Sequence, residues 1–215
     1  MKLMGKYKQE IFKGYKDMKN IEGIKEFYKK TINKNPSAQI RTFFLKNYNQ
    51  NFKGTTAIDL GCGAGNDTEF LISKGFNVTA IDTNEQVRSI FESRNLNSEN
   101  LNIIIDDFSK IKLPKTDLVN AHFSLHYVEE SFDGFMANLL QNVINPKGVF
   151  IGNFLGKEDE WKETFTTVEK EKLLEYFKDF NIFYFSEEKY YQDTARKKNK
   201  FWHVYTIIAQ KIQTN

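Results

Sequence analysis

The chain has 215 residues and a net charge of +3, with 40% hydrophobic and 27% charged residues. That balance describes a soluble globule long enough to bury one sizeable core. A single cysteine excludes an internal disulfide framework and any cysteine-based zinc centre, so no metal is expected. No apolar run approaches the roughly 18 residues of a membrane span, and residues 1–10 lack an apolar signal core. No membrane partner is expected, and the location expected is cytoplasmic.

Residues 1–53 carry 13 Lys/Arg against 4 Asp/Glu. Apolar residues recur there at helical spacing: Ile11, Tyr15 and Met18, then Ile24, Phe27, Tyr28 and Ile32, then Ile40, Phe43, Phe44 and Tyr48. Pro36 separates the second helix from the third, and Ser37 is placed to cap the third. The segment is read as an N-terminal helical cap or lid over 1–53. Its basic character fits a solvated helical face, or an arm for phosphate or an acidic partner.

From residue 55 onward, strands alternate with helices. Strands are predicted over 55–60, 77–82, 101–106, 117–122, 149–154, 181–185 and 201–210. Helices are predicted over 67–73, 85–94, 131–144 and 168–180, with Asn145-Pro146-Lys147-Gly148 stopping the third and a hairpin loop over 193–200. This alternation implies βαβ units on a parallel sheet, forming one α/β domain over 54–215.

The stretch Asp59-Leu60-Gly61-Cys62-Gly63-Ala64-Gly65-Asn66-Asp67 lies between a predicted strand and a predicted helix, where a glycine loop can hold a ligand. No Gly-Lys-Ser/Thr follows, so it is not a P-loop. The third glycine of a Gly-x-Gly-x-x-Gly dinucleotide fingerprint would fall at Asn66. The acid at Asp59 suits a ligand with an ammonium group and no phosphate, as S-adenosylmethionine has. Asp82, with Thr83 beside it, ends the second strand 19 residues after Gly63, where an acid can take both ribose hydroxyls. Asp106, Asp107 and Phe108 end the third strand. A carboxylate there can accept from an adenine amino group, and the Phe108 N–H can donate to a ring nitrogen. The alternative for these acids is a solvated turn.

The segments AIDLGCGAGNDT (57–68), VTAID (78–82), IDDFSKIKLP (105–114), DLVNAHFSLHYV (117–128) and INPKGVFIGNF (144–154) together resemble class I S-adenosylmethionine-dependent methyltransferases. Within them the chain looks most like the small-molecule group that includes the tellurite-resistance and thiopurine-type enzymes. The segments FYKKT (27–31) and KFWHVYTIIAQK (200–211) look like an uncharacterised bacterial branch of that group. The resemblance implies a Rossmann-like, mostly parallel seven-stranded sheet of order 3-2-1-4-5-7-6, with strand 7 antiparallel, helices on both faces and an N-terminal helical lid. It implies cofactor contacts from Asp59, Gly61, Cys62, Gly63, Asp82, Thr83, Asp106, Asp107, Phe108, Asn120, Ala121 and Phe123.

Several acceptors are excluded. Cytosine C5 methylation needs a nucleophilic cysteine after strand four, whereas the sole cysteine, Cys62, lies in the glycine loop. Adenine N6 enzymes of this superfamily carry Asn/Asp-Pro-Pro-aromatic after strand four, where this chain reads Asn120-Ala121-His122-Phe123. No nucleic-acid-binding module is recognisable, so a small-molecule acceptor and no nucleic acid are expected, in a monomer or homodimer. The alternatives are an RNA or protein methyltransferase using the basic arm, and a non-catalytic S-adenosylmethionine-binding module. An amine or hydroxyl acceptor needs a base in reach, and a thiolate does not. His126 is the candidate base, with Tyr127 next to it and Tyr28 on the expected lid. Asn153 is a further candidate for the acceptor side, and Trp202 is expected to pack in the core.

Overall fold

The computed structural model describes residues 28–32, 34–46, 52, 54–96, 98–128, 131–194 and 197–213. The helices expected around Ile11 and Ile24 lie outside these residues, apart from a helical turn over 28–31.

Strands β1 (Thr56–Leu60), β2 (Asn77–Asp82), β3 (Leu101–Ile105), β4 (Thr116–Ala121), β5 (Ile144–Gly156), β6 (Thr167–Val168), β7 (Phe180–Gln192) and β8 (Lys200–Lys211) form one sheet. Its order is β3-β2-β1-β4-β5-β8-β7, with β6 beside the end of β5. All pairs are parallel except those made by β8, which runs antiparallel between β5 and β7. Apart from the short β6, which carries no sequence signal, this is the expected order.

Ala57, Ile58, Leu118, Val119, Phe150 and Ile151 are all buried, so β1, β4 and β5 are covered on both faces. One face packs helices α1 (Ala38–Lys46) and α2 (Asn66–Ser73), through Ile40, Phe43 and Leu71 against Ala57, Val78, Leu118 and Ile151. The other packs α4 (Phe132–Asn138) and α5 (Lys170–Tyr176), through Met136 and Leu173 against Ile58, Val119 and Phe150. Helix α3 (Gln86–Ser93) sets Val87 and Phe91 against Ala80, Cys62 and Ala64. The Ser37 hydroxyl receives the Ile40 amide at 3.4 Å, a long contact at the expected cap position. Helix α1, inside the segment expected to be a cap, is thus a layer of the sheet's own core.

Two boundaries move. The third predicted helix ends at Asn138 in a wider turn over Leu139–Val143, and β5 already begins at Ile144. Lys147, in the left-handed region at φ 62°, lets the chain bend within that strand, where its register with β4 shifts. The fourth predicted helix ends at Tyr176, and β7 runs through the polar residues up to Gln192 because β8 pairs with it along its length.

Candidate cofactor and acceptor site

Sheets of this kind bind ligands where adjacent strands send their connections in opposite directions. That point lies between β1 and β4, where Asp59 faces Asn120 in register. Gly61, Gly63 and Gly65 all have left-handed backbones, at φ +70°, +53° and +79°. A side chain at Gly61 would strike the Ser124 Cβ at 2.6 Å, and one at Gly65 would strike the Phe91 ring at 2.4 Å. At Gly63 an added Cβ would meet nothing closer than 3.9 Å, one of those neighbours being the Tyr28 ring. The loop is therefore clamped on two sides and open at Gly63. The Gly61 and Cys62 amides both donate to the Ile81 carbonyl, at 2.8 and 3.0 Å, tying the loop to β2.

The Asp82 carboxylate accepts the Gly63 amide at 3.0 Å on one oxygen and the Asn84 amide at 3.0 Å on the other. Burial pushes its pKa up, while the Gly63, Asn84 and Thr83 amides hold it down. It is oriented and keeps lone pairs for a diol. Asp59 is buried and accepts the Thr68 hydroxyl at 2.6 Å and the Asn120 amide at 2.8 Å. Asn120 shares that amide group with Asp67 at 3.0 Å, and Asp67 accepts the Ser37 N–H at 2.6 Å. Burial first, and then the Asp67 carboxylate, push Asp59 up to about 7. Two carboxyl groups so enclosed favour a neighbouring cation.

Tyr28 is buried against Cys62 and Ala64, and burial followed by the Asp82 and Cys62 charges raises its phenol, which stays protonated. Thr31 accepts the Asn66 side-chain amide through its carbonyl at 2.8 Å. Thr31 and Ser37 thus clasp the start of α2. At the end of β3, Asp106 is exposed and accepts the Asp107 amide at 2.7 Å. Asp107 accepts the Ser109 hydroxyl at 2.6 Å and amide at 2.9 Å. Burial pushes Asp107 up, but these bonds and Lys110 outweigh it and hold it below the usual carboxylate range. The Phe108 ring lies in the core, 5.7 Å from Phe135.

Beyond β4 the surroundings change character. Asn120 and Ala121 are buried, and the Asn120 side-chain oxygen has no partner. Phe123 has φ 51°, a strained backbone for a bulky residue, and its ring packs 5.3 Å from Trp202. Ser124 is buried with an unpartnered hydroxyl. His126, in the turn Leu125–Tyr127, is 5% exposed, with Nε2 unpartnered and its ring 4.2 Å from Tyr127 and 5.1 Å from Phe165. Burial, then the Lys200 charge, lower its pKa to about 3, so the imidazole is neutral. Tyr127 is exposed, as is His122. Asn153 faces β8 and donates to the Thr206 hydroxyl at 2.8 Å.

Trp202 is only half-buried and belongs to a ring cluster with Phe123, Trp161 and Phe165, rather than to the main core. Sequence reasoning did not find Asp67, Ser124, Trp161 or Phe165. Each draws its role from a contact distant in sequence, and only Asp67, in the first turn of a helix after a glycine loop, offered a local signal.

Residues 58–152 match the family described as methyltransferase domain. An uncharacterized methyltransferase of Alkaliphilus oremlandii is 25% identical over 174 residues, covering 75% of this chain and 78% of that one. TehB of Haemophilus influenzae superimposes with a TM-score of 0.64 at 18% identity, over 80% of this chain and 60% of the TehB chain. The 1,6-didemethyltoxoflavin N1-methyltransferase of Burkholderia thailandensis gives a TM-score of 0.61 at 15% identity, over 99% of this chain and 90% of that one. The N-methyltransferase NodS of Bradyrhizobium japonicum gives 0.62 at 14% identity, over 85% and 91%. The acid-flanked glycine loop at the switch point of this strand order thus lies within the stretch, residues 58–152, that is similar to the methyltransferase domain family.

Proposed function

We propose that this chain transfers a methyl group from S-adenosylmethionine to a small-molecule acceptor bound at the ends of β4 and β5. The residues at the switch point fit the cofactor. The open side at Gly63 admits close backbone approach, Asp82 has lone pairs for a ribose diol, and the buried Asp59–Asp67 pair favours a cation. Asn120 adds a buried oxygen without a partner. Asp107 is the candidate for the adenine amino group. The Thr31 and Ser37 contacts support a lid role for the segment containing Tyr28.

The cofactor would supply a methyl carbon made electrophilic by its sulfonium. The acceptor's lone pair forms the new bond to that carbon as the carbon–sulfur bond breaks, and the bonding pair stays on sulfur. This chain's part is alignment and exclusion of water. For an N–H or O–H acceptor, the neutral His126 imidazole is the candidate partner of the departing proton, with Tyr127 as a further candidate, while the Tyr28 phenol, held protonated, can orient the acceptor but takes no proton. A pKa of about 3 makes that imidazole a weak proton store, so it serves as a hydrogen-bond acceptor while the proton stays on the methylated acceptor and is lost to solvent when the product leaves. A thiolate acceptor has no such proton to lose.

The observation that carries the small-molecule reading is the wall beyond β4 and β5, in which Phe123, Trp202, Trp161 and Phe165 touch in sequence at ring spacings of 5.3–5.4 Å. Such a surface suits a compact organic molecule better than a phosphate backbone does. Two of the similar structures hold S-adenosylhomocysteine, and one of those also holds 1,6-didemethyltoxoflavin, which supports the same reading. The test is S-adenosylhomocysteine formation measured separately with a small-metabolite fraction, RNA and protein. Turnover with the metabolite fraction is expected. Turnover confined to RNA or protein would replace this reading with one built on the basic N-terminal segment, and cofactor binding without any turnover would leave a binding module.

A further inference from the structure

We infer that the loop over residues 157–166 is a gate on the acceptor side, anchored through its first half and latched over His126 by Thr166. This rests on the methyltransferase reading above, in which an N–H or O–H acceptor comes into contact with the His126 ring.

The structure holds that ring closed off. His126 is 5% exposed, and its Nε2 has no partner among the described residues. A buried polar atom left unpaired is costly, so it points to a second state in which the atom gains a partner. Two rings cover the imidazole. Tyr127, at 4.2 Å, belongs to the same turn, and that turn is set against the cofactor loop because Ser124 packs directly on Gly61. Phe165, edge-on at 5.1 Å, comes from the loop after β5.

That loop is fastened unevenly. Glu158, Asp159 and Glu160 each hold one lysine of the β7–β8 hairpin: Lys189 at 2.6 Å, the fully buried Lys200 at 2.7 and 2.8 Å, and Lys197. Lys200 lies against the Trp161 and Trp202 rings as well. Asp159 also accepts the Trp161 and His203 amides, at 2.9 and 3.0 Å, and Glu160 accepts the Phe201 amide at 3.0 Å. This half is fixed to β8. The second half is held differently. The Thr164 and Phe165 amides both donate to the Trp161 carbonyl at 2.9 Å, bonds that travel with the segment. Thr166 joins it to the turn, its amide donating to the His126 carbonyl at 3.1 Å and its hydroxyl to the Val128 carbonyl. Phe165 packs in a small cluster with Leu155 and Val204, separate from the main core. Segments with few buried apolar partners open at the lowest cost. Beyond Thr166, β6 pairs with β5 over two residues, which sets the far hinge. Lifting residues 162–166 therefore uncovers His126 while the ion-paired half stays in place, and closing again shuts out water.

The three histidines supply the test. His122 is exposed. His203 is as buried as His126, but its Nδ1 accepts the Glu158 amide at 3.1 Å and its Nε2 meets Glu187 at 3.0 Å, within the anchored half. Diethyl pyrocarbonate, a small uncharged molecule, stands in for the acceptor. It is applied at pH 7 to the full chain with S-adenosylhomocysteine bound, which blocks entry from the cofactor cleft, and each histidine is followed by peptide mass spectrometry. His122 should react fastest, and His126 at least about tenfold faster than His203, because local opening costs less than global unfolding. Thr166→Val should speed His126 about fivefold, the worth of one ordinary hydrogen bond, with His203 and S-adenosylhomocysteine affinity unchanged. Thr166→Ser should restore the original rate. Equal protection of His126 and His203 in the unmodified chain would overturn the gate and leave the methyltransferase reading standing. A Thr166→Val chain in which His126 is unmoved, or in which both buried histidines speed up together, would overturn Thr166 as the latch. Failure of S-adenosylhomocysteine to bind the unmodified chain by calorimetry would overturn the methyltransferase reading instead. Should Thr166→Val fail to fold, the ratio of His126 to His203 in the unmodified chain still decides.

Discussion

The two sides of the cleft solve the burial of polar groups in opposite ways. On the β1–β2 side, Asp59, Asp67 and Asp82 each accept hydrogen bonds from named donors within the loop, the helix start or β4. On the β4–β5 side, the Ser124 hydroxyl, His126 Nε2 and Trp202 Nε1 are buried with no partner, among aromatic rings. A network of paired carboxylates, in which the Asn66 and Asn120 side-chain oxygens alone lack partners among the described residues, specifies one geometry, as recognition of an invariant cofactor requires. Unpaired polar atoms on an apolar wall store a free-energy cost that a suitable acceptor relieves. On the proposed function, the difference separates a side built for one ligand from a side whose residues set selectivity.

The contrast can be broken most severely at the buried Lys200–Asp159 ion pair beyond β5. Lys200→Met leaves Asp159 buried without its cation and should cost about 3–5 kcal/mol of stability in urea titration. The double variant Lys200→Met with Asp159→Asn should recover most of this loss, and an equal loss in both would place the energy in packing alone. On the cofactor side, Asp82→Ala should weaken S-adenosylmethionine by about 1.5–3 kcal/mol for each charge-assisted bond lost. Unchanged affinity by calorimetry would remove Asp82 from the ribose.

The pH dependence of stability sharpens the contrast, because the two sides should slope in opposite directions. His126 has a native pKa of about 3 against an ordinary 6.5, so the unfolded chain binds the extra proton between those values. Its contribution is complete above pH 6.5 and is lost as pH falls toward 3. His126→Leu should flatten that part of the melting-temperature profile. Asp59 has a native pKa of about 7 against an ordinary 3.8, so the folded chain binds the extra proton. Its contribution is complete below pH 3.8 and is lost as pH rises through 7. Asp59→Asn should flatten the profile between pH 4 and 7 in the cofactor-free protein. This is the smallest of the four effects, because Thr68 and Asn120 already favour the ionised form. A melting profile unmoved by either substitution would remove that group from the linkage.

Legibility in the sequence follows the same division. β1 to β4 were readable to within one residue, since short apolar runs between turn signals determine them locally. The glycine loop and Asp82 were readable because loop chemistry depends on neighbours in sequence. The two-residue β6 and the polar half of β7 were not, because pairing with β5 and β8 holds them rather than their own propensity. The acceptor wall was hidden for a related reason. Trp161 sits in a polar loop, and its partners Lys200 and Trp202 come from a strand some forty residues later. For His126, sequence spacing placed it after the switch-point strand but carried nothing about Phe165 closing over its ring.

The place of β8 in the sheet bears on how the fold can be assembled. It follows β7 in the chain but lies between β7 and β5, so neither neighbour completes its pairing until β8 arrives. Before then, the edge of β5 from Val149 to Leu155, buried throughout in the finished fold, is an open and almost wholly apolar strand. Such an edge is a template for pairing with other chains. Any state of the chain in which β8 has not docked would expose this edge, and a helper that shields the β5 edge would protect such a state more than one that speeds helix formation.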